Sequence, residues 1–276
     1  MTPKVHRSLY PHVPHDPGAP ILEVHELTFR YNGHFALEDI SFHLHAGERV
    51  AVVGPNGAGK STLFKVVSGV LPPTSGEVKI SGFGPRGHIC IAYVPQRSQV
   101  DWRFPASVAD VVMMGRIGQI GFFRWPRRAD WDTVHDALEA VDMDALANRQ
   151  IGELSGGQQQ RTFLARALAQ EAELVLMDEP LNGLDTPSQE AILSLLEKLR
   201  QQKITVMVAT HDLGQAASHF DRVMLLNRRL IRFGSPHEVL SSENLLKAYG
   251  GHAQLIQEED GTTTLADTCC DGEEDE

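Results

Sequence analysis

A chain of 276 residues, 42% hydrophobic and 22% charged, has the composition of a globular protein that can bury a sizeable core without staples. No apolar run approaches the roughly 18 residues of a membrane span, and three cysteines make no disulfide framework, which fits a reducing compartment. From Glu258 onward there are nine acidic residues and no Lys or Arg, so the net charge of −11 is mostly terminal; the rest, with 25 basic against 27 acidic groups, gives no reason to expect nucleic acid as a partner.

Residues 1–20 are rich in Pro and His and read as a flexible extension. They have no apolar stretch of the kind a secretory signal needs, and the spacing of His6, His12 and His15 matches no standard metal site. From Ile21 the pattern becomes strand-like. Leu22, Val24 and Leu27 lead to a hairpin turn in Phe29-Arg30-Tyr31-Asn32-Gly33, after which Ile40, Phe42 and Leu44 alternate with Ser41, His43 and His45. Tyr31 is either an aromatic that can stack on adenine or a half-buried hairpin residue; spacing leaves both open.

Val50-Ala51-Val52-Val53 reads as a buried strand, and Leu63-Phe64-Lys65-Val66-Val67 as a helix with one apolar side. Between them lies Gly54-Pro55-Asn56-Gly57-Ala58-Gly59-Lys60-Ser61-Thr62, a Gly-rich loop in the strand–loop–helix context of a phosphate-binding P-loop. Glycines let the backbone wrap an anion, and the N–H groups add to the positive end of a helix dipole. Lys60 is placed for the β/γ-phosphates and Ser61 for Mg²⁺, so ATP with Mg²⁺ is the expected cofactor pair.

Gly69 is a helix C-cap, 72–76 a turn, and Val78, Ile80 and 89–94 mark strands, with Cys90 a small core residue. Gln96, polar and neutral at a strand end, can touch Mg²⁺ or an attacking water, or simply be solvated. Residues 98–165 read as an inserted helical subdomain: Val108, Val111 and Val112 mark one helix, and Val134, Leu138 and Val141 another. Phe122, Phe123 and Trp125 in the segment between them either form a docking patch or pin the loop to its own helices.

Leu154-Ser155-Gly156-Gly157-Gln158-Gln159-Gln160-Arg161 follows, with Ser155 as N-cap and two glycines that admit a ligand to the backbone, a second phosphate-seeking helix start. Leu174-Val175-Leu176-Met177 is a fully apolar central strand ending in Asp178 and Glu179. Carboxylates at a strand's C-terminal end lie where α/β folds bind ligands; Asp178 suits Mg²⁺, and Glu179 can accept a proton from water attacking the γ-phosphate. After the loop Asn182-Gly183-Leu184-Asp185, Thr186, Pro187 and Gln189 read as a capping-box helix start. A further central strand, 204–209, ends in Thr210-His211-Asp212, where His211 can contact the γ-phosphate and pair with Glu179. Two strands near 223–226 and 230–233, a helix in 235–249 and an acidic, disordered tail over 258–276 complete the chain. Vicinal Cys269 and Cys270 do not make a four-ligand metal site.

The set Gly54–Thr62, Gln96, Leu154–Gln158, Leu176–Glu179, Asp185 and His211, in that order, resembles the nucleotide-binding subunit of ATP-binding-cassette (ABC) transporters. The resemblance spans residues 21–250 and implies a P-loop NTPase core, a mixed sheet with helices, plus an antiparallel β subdomain and an inserted α-helical subdomain within a domain of 21–257. It implies two copies of the chain head to tail, with ATP between Gly54–Thr62 of one and Ser155, Gly156, Gly157 and Gln158 of the other. In that family Tyr31 corresponds to the adenine-stacking aromatic, Gln96 to the loop sensing γ-phosphate, and His211 to the switch histidine. Gly183 departs from the commoner Ser-Ala-Leu-Asp form, but Asp185 is retained at the dimer contact. A narrower resemblance, carried by Tyr93–Ser98, Val100-Asp101-Trp102, Phe104-Pro105 and Asp110–Arg116, is to the subfamily importing manganese, zinc or iron. It implies a peripheral ATPase on the cytoplasmic side of a prokaryotic plasma membrane. Its partners would be permease subunits and, indirectly, an extracytoplasmic metal-binding protein. Importers of iron chelates or cobalamin share the same ATP chemistry. ABC ATPases of DNA repair or translation usually carry a coiled-coil insertion or two cassettes, and this chain has a short interval and one cassette.

Overall fold

The computed structural model describes residues 19–84, 91–121 and 124–250, with the backbone alone of 253–257 and 263–267. Expectations placed on His6, His12, His15, Cys90, Phe122, Phe123, Cys269 and Cys270 lie outside the described residues.

Two long strands open the chain, β1 (Leu22–Tyr31) and β2 (His34–Leu44). Asn32 and Gly33 join them with φ of 47° and 84°, the positive pair that a two-residue hairpin of matching twist requires. β3 (Arg49–Val53) departs for a second sheet and runs into α1 (Lys60–Val67). β4 (Ser75–Ile80) returns to the other side of β1, giving an antiparallel sheet of order β2-β1-β4. Its buried Leu22, Val24, Leu27, Ile40 and Val78 pack with Leu63, Phe64 and Val67 of α1.

β5 (Ile91–Val94) precedes the helical insertion of α2 (Val108–Met113), α3 (Ile117–Ile120), α4 (Arg128–Ala140) and α5 (Gly156–Ala169). Val108, Val112, Val134, Leu138, Phe163 and Leu164 make the interior of this bundle, as the 3–4 spacing predicts. α5 is continuous past residue 165. Just beyond its end Gln170 Nε2 donates to the Ile91 carbonyl at 2.7 Å, and Arg166 donates to the Tyr93 carbonyl at 3.3 Å, so one helix serves both insertion and core.

β6 (Leu174–Asp178), α6 (Thr186–Gln201), β7 (Thr205–Ala209), α7 (Leu213–His219), β8 (Arg222–Asn227), β9 (Arg229–Gly234), α8 (Pro236–Val239) and α9 (Ser242–Tyr249) complete the core. The main sheet has the order β5-β6-β7-β3-β8-β9, parallel except for β9. Its strands alternate between two interiors. Val50 and Val52 join the antiparallel sheet and α1, whereas Ala51 and Val53 face the helical side. Leu174 and Leu176 of β6 divide from Val175 and Met177 in the same way. Both faces are covered, which is why these strands read as unbroken apolar runs.

Two expectations are corrected. Asp185, not Thr186, is the N-cap of α6; Pro187 falls in its first two positions, and Gln189 makes no capping box. Within the segment 258–276, β11 (Thr263–Asp267) is a strand, paired antiparallel with the preceding β10 (Ala253–Gln257), Leu255 opposite Leu265. Thr263, Thr264 and Leu265 favour a strand locally, a preference that the acidic composition around them conceals.

Gly54 has φ of 155°, and a Cβ there would lie 2.0 Å from the Leu226 carbonyl oxygen of β8. Gly54→Ala is expected to cost on the order of 2–4 kcal/mol of folding stability, because main chain rather than a movable side chain is in the way. Denaturant titration of the variant without nucleotide measures this.

Candidate nucleotide site

Parallel strands end on a common edge, so the loops after β5, β6, β7 and β3 present Gln96, Asp178 with Glu179, Thr210 with His211, and Gly54 in that spatial order. This is the edge at which open α/β sheets receive ligands.

The P-loop is held from both sides. Its Ala58 carbonyl accepts the Arg228 N–H at 2.8 Å, and a Cβ on Gly59 would lie 2.5 Å from the Ala36 carbonyl oxygen. Pro55, Asn56, Gly57 and Ala58 form a turn closed by the Ala58 N–H on the Pro55 carbonyl at 3.1 Å. Lys60, Ser61 and Thr62 then open α1, so a free helix N-terminus faces out of the loop. Lys60 is buried and folds back, its ammonium donating to the carbonyls of Gly54 at 2.6 Å and Pro55 at 3.1 Å. Burial lowers its pKa, while the carboxylates of Glu179 and Asp178 pull the other way.

The Ser61 hydroxyl donates to the carboxylate of Asp178, which is 3% exposed. Burial raises the Asp178 pKa above the usual carboxylate value, against that hydrogen bond. The Tyr93 hydroxyl stands 3.5 Å from Asp178 Oδ2, and burial first, then Asp178, pushes the phenol pKa up. Hydroxyl and carboxylate oxygens side by side suit a hard cation such as Mg²⁺, which completes its shell with water and phosphate oxygens. Among the described residues no group of three or more His, Cys, Asp or Glu is placed to hold a metal ion.

Glu179 has φ of 48°, a left-handed conformation uncommon for a side-chain-bearing residue, and its N–H donates to the Ala209 carbonyl at 3.0 Å. Its Oε2 accepts from Gln96 Nε2 at 2.9 Å and from Asn182 Nδ2 at 3.0 Å. The expected pairing with His211 is therefore not formed. His211 is exposed and lines, with Glu179, Asn182, Thr210 and Gln215, an open cavity of about 100 Å³. Asn182 escaped sequence reading because a loop Asn beside a Gly reads as turn chemistry.

Ser155 caps α5 as expected. Its Oγ accepts the Gln158 N–H at 3.4 Å, and Gln158 Oε1 accepts the Ser155 N–H at 3.0 Å. Gly156 and Gly157 serve the chain's own packing as well, for a Cβ would meet Arg97 at 2.9 Å and Ser188 Oγ at 2.6 Å. Among the described residues no hydrogen bond or ion pair joins Ser155–Gln158 to the P-loop of the same chain. Arg97, next to Gln96, donates to Gln159 Oε1 at 2.7 Å, linking the Glu179 neighbourhood to α5. Tyr31 is 47% exposed and meets Phe29 edge-to-face with ring centroids 4.8 Å apart. Asp185 is exposed and makes no side-chain cap, which leaves its carboxylate available.

A family model described as ABC transporter matches residues 37–182. The manganese transport system ATP-binding protein MntB of Bacillus subtilis (strain 168) is 45% identical over 86% of this chain and 95% of that protein. The zinc transport system ATP-binding protein TroB of Treponema pallidum (strain Nichols) is 46% identical over 83% and 87%. The chelated iron transport system membrane protein YfeB of Yersinia pestis is 46% identical over 84% and 80%. Among solved structures, an ABC transporter in an inward-facing conformation matches with a TM-score of 0.76 at 33% identity, over 90% of this chain and 97% of that one. The structure of cbiO1 from Clostridium perfringens, part of the ABC transporter complex cbiONQ, matches with a TM-score of 0.69 at 30% identity, over 83% of this chain and 93% of that one.

Proposed function

The chain belongs to the ABC transporter family of ATP-binding proteins, and from that membership we propose that it powers import of a divalent metal ion, manganese, zinc or iron, through a membrane permease. It binds nucleotide and hydrolyses ATP, and as an ABC ATPase it works as a dimer with permease subunits. No helix among the described residues is long and apolar enough to cross a membrane. The metal assignment draws on relatives whose names span manganese, zinc and chelated iron at 45–46% identity. The ATPase would sit on the cytoplasmic face of a prokaryotic plasma membrane, fed indirectly by an extracytoplasmic metal-binding protein.

In this reading Glu179 is the general base. The observation that carries it is the double donation to Oε2 from Gln96 and Asn182, which fixes one oxygen as acceptor; among the hydrogen bonds of the described residues none reaches Oε1, the oxygen that would meet water. The P-loop residues Gly54, Pro55, Asn56, Gly57, Ala58, Gly59 and Thr62 wrap the phosphates, and Lys60 leaves its resting carbonyls for the β/γ-phosphates. Tyr31 stacks on adenine, and His211 contacts the γ-phosphate from the adjacent loop. Ser61, Asp178 and Gln96 hold Mg²⁺, which when bound neutralises charge on the phosphate oxygens. The α5 start, Ser155, Gly156, Gly157 and Gln158, is not tied to its own P-loop, which supports a head-to-tail dimer in which it closes the partner's site beside Asp185.

Asp178→Asn is expected to raise the Mg²⁺ concentration for half-maximal ATPase activity at least roughly tenfold while nucleotide still binds; titrating Mg²⁺ at fixed ATP measures it. For the cargo, the complex with its permease in vesicles should take up radiolabelled Mn²⁺ or Zn²⁺ only with ATP inside the ATPase compartment. Uptake of an iron chelate or cobalamin in place of the free ions would reassign the substrate.

A further inference from the structure

Gln189, in the first turn of α6, spends its whole amide on neighbouring elements. Its nitrogen donates to two main-chain carbonyls of the preceding loop, Leu181 at 3.3 Å and Leu184 at 3.1 Å. Its oxygen accepts from Gln215 Nε2 at 3.1 Å, in the first turn of α7. Gln215 is anchored in turn, for its main-chain N–H is capped by Asp212 Oδ1 at 2.8 Å, one residue after His211.

The loop so gripped carries Asn182, which donates to Glu179. Leu181 is buried in the core and Leu184 packs against it, so the loop is anchored near both ends, and the stretch between them is the less restrained part. Its internal turns are long, at 3.3 Å for both the Asn182 and the Leu184 N–H, and Gly183 has φ of 70° with open space where a Cβ would stand. Glu179, Asn182, Gln189, His211 and Gln215 all line one cavity, so the bridge crosses from the Glu179 side to the His211 side.

We propose that Gln189, acting with Gln215, is a positioning residue for ATP hydrolysis: it locks the loop 181–185 to the helix after His211 and so holds Asn182 on Glu179. The inference rests on Glu179 being the base. Gln189 touches no P-loop atom among its hydrogen bonds, so its effect falls on turnover rather than on nucleotide affinity. The two-carbonyl grip is the larger part of the device, because it acts on the loop directly; Gln215 orients the amide that does the gripping.

The test uses the full chain and three variants of similar volume: Gln189→Met, Gln215→Met and the double replacement. Gln189→Met is expected to lower kcat on the order of tenfold, the scale on which small displacements of a catalytic group act. KM for ATP should stay within about twofold, the pattern of an interaction felt in the transition state. Gln215→Met should lower kcat less, and the double variant should match Gln189→Met alone, since both changes break one bridge. Unfolding midpoints near wild type would accompany this. Wild-type kcat in Gln189→Met, a loss shared equally between kcat and KM, or additive effects in the double variant would overturn the proposal. Glu179→Gln is assayed beside them. If that variant turns over normally, the base assignment falls and the proposal with it; if it is inactive while Gln189→Met runs at full speed, the proposal alone is wrong.

Discussion

Glu179→Gln is expected to bind ATP, accumulate as a closed dimer and lose turnover by at least roughly a hundredfold, the lower end of what a positioned general base contributes. The surroundings of the residue explain why so small a change suffices. Gln96 and Asn182 both donate to Oε2. A substituted amide would satisfy them with its carbonyl oxygen and place its NH₂ where Oε1 had been. Water that met an acceptor would then meet a donor, with shape and packing unchanged. Size-exclusion chromatography with ATP, alongside steady-state phosphate release, tests both halves. Hydrolysis at the wild-type rate would remove the assigned base.

Lys60→Met is expected to weaken ATP binding by about 10- to 100-fold, taking 1.5–3 kcal/mol for the loss of a hydrogen bond to a charged group. Its effect on the nucleotide-free protein should differ. The ammonium is buried against the carbonyls of Gly54 and Pro55, and burial already lowers its pKa. Replacing a desolvated charge by an apolar chain of similar length is often neutral or stabilising. The unfolding midpoint without ligand should therefore hold or rise, while the increase produced by ATP and Mg²⁺ should largely vanish. A midpoint that drops sharply without nucleotide would mean the ammonium stabilises the loop rather than waiting for phosphate.

Much of the site was legible because single strands carry it. The P-loop lies between a buried strand and a helix, and Asp178 with Glu179 ends the fully apolar β6, so type and place could both be read from local pattern. Pairings between distant segments were not legible. Gln96 and Asn182 converge on one oxygen although 86 residues separate them, and only the β5–β6 pairing brings them together. The Gln189 bridge reads as a capping box in the sequence because Asp185 and Thr186 are both competent caps, and local chemistry does not choose between them. The strand at Thr263–Asp267 is hidden for a related reason: composition averaged over a tail masks a five-residue preference.

The P-loop lies against main chain on two sides, Leu226 and Arg228 beyond one wall and Ala36 beyond the other. A receptacle cast in this way meets its ordering cost once, when the polypeptide folds, and not again in each cycle of the motor. An arriving triphosphate would then have to displace only the Lys60 ammonium from the Gly54 and Pro55 carbonyls, and the rest of the docking free energy would remain available to draw two subunits together.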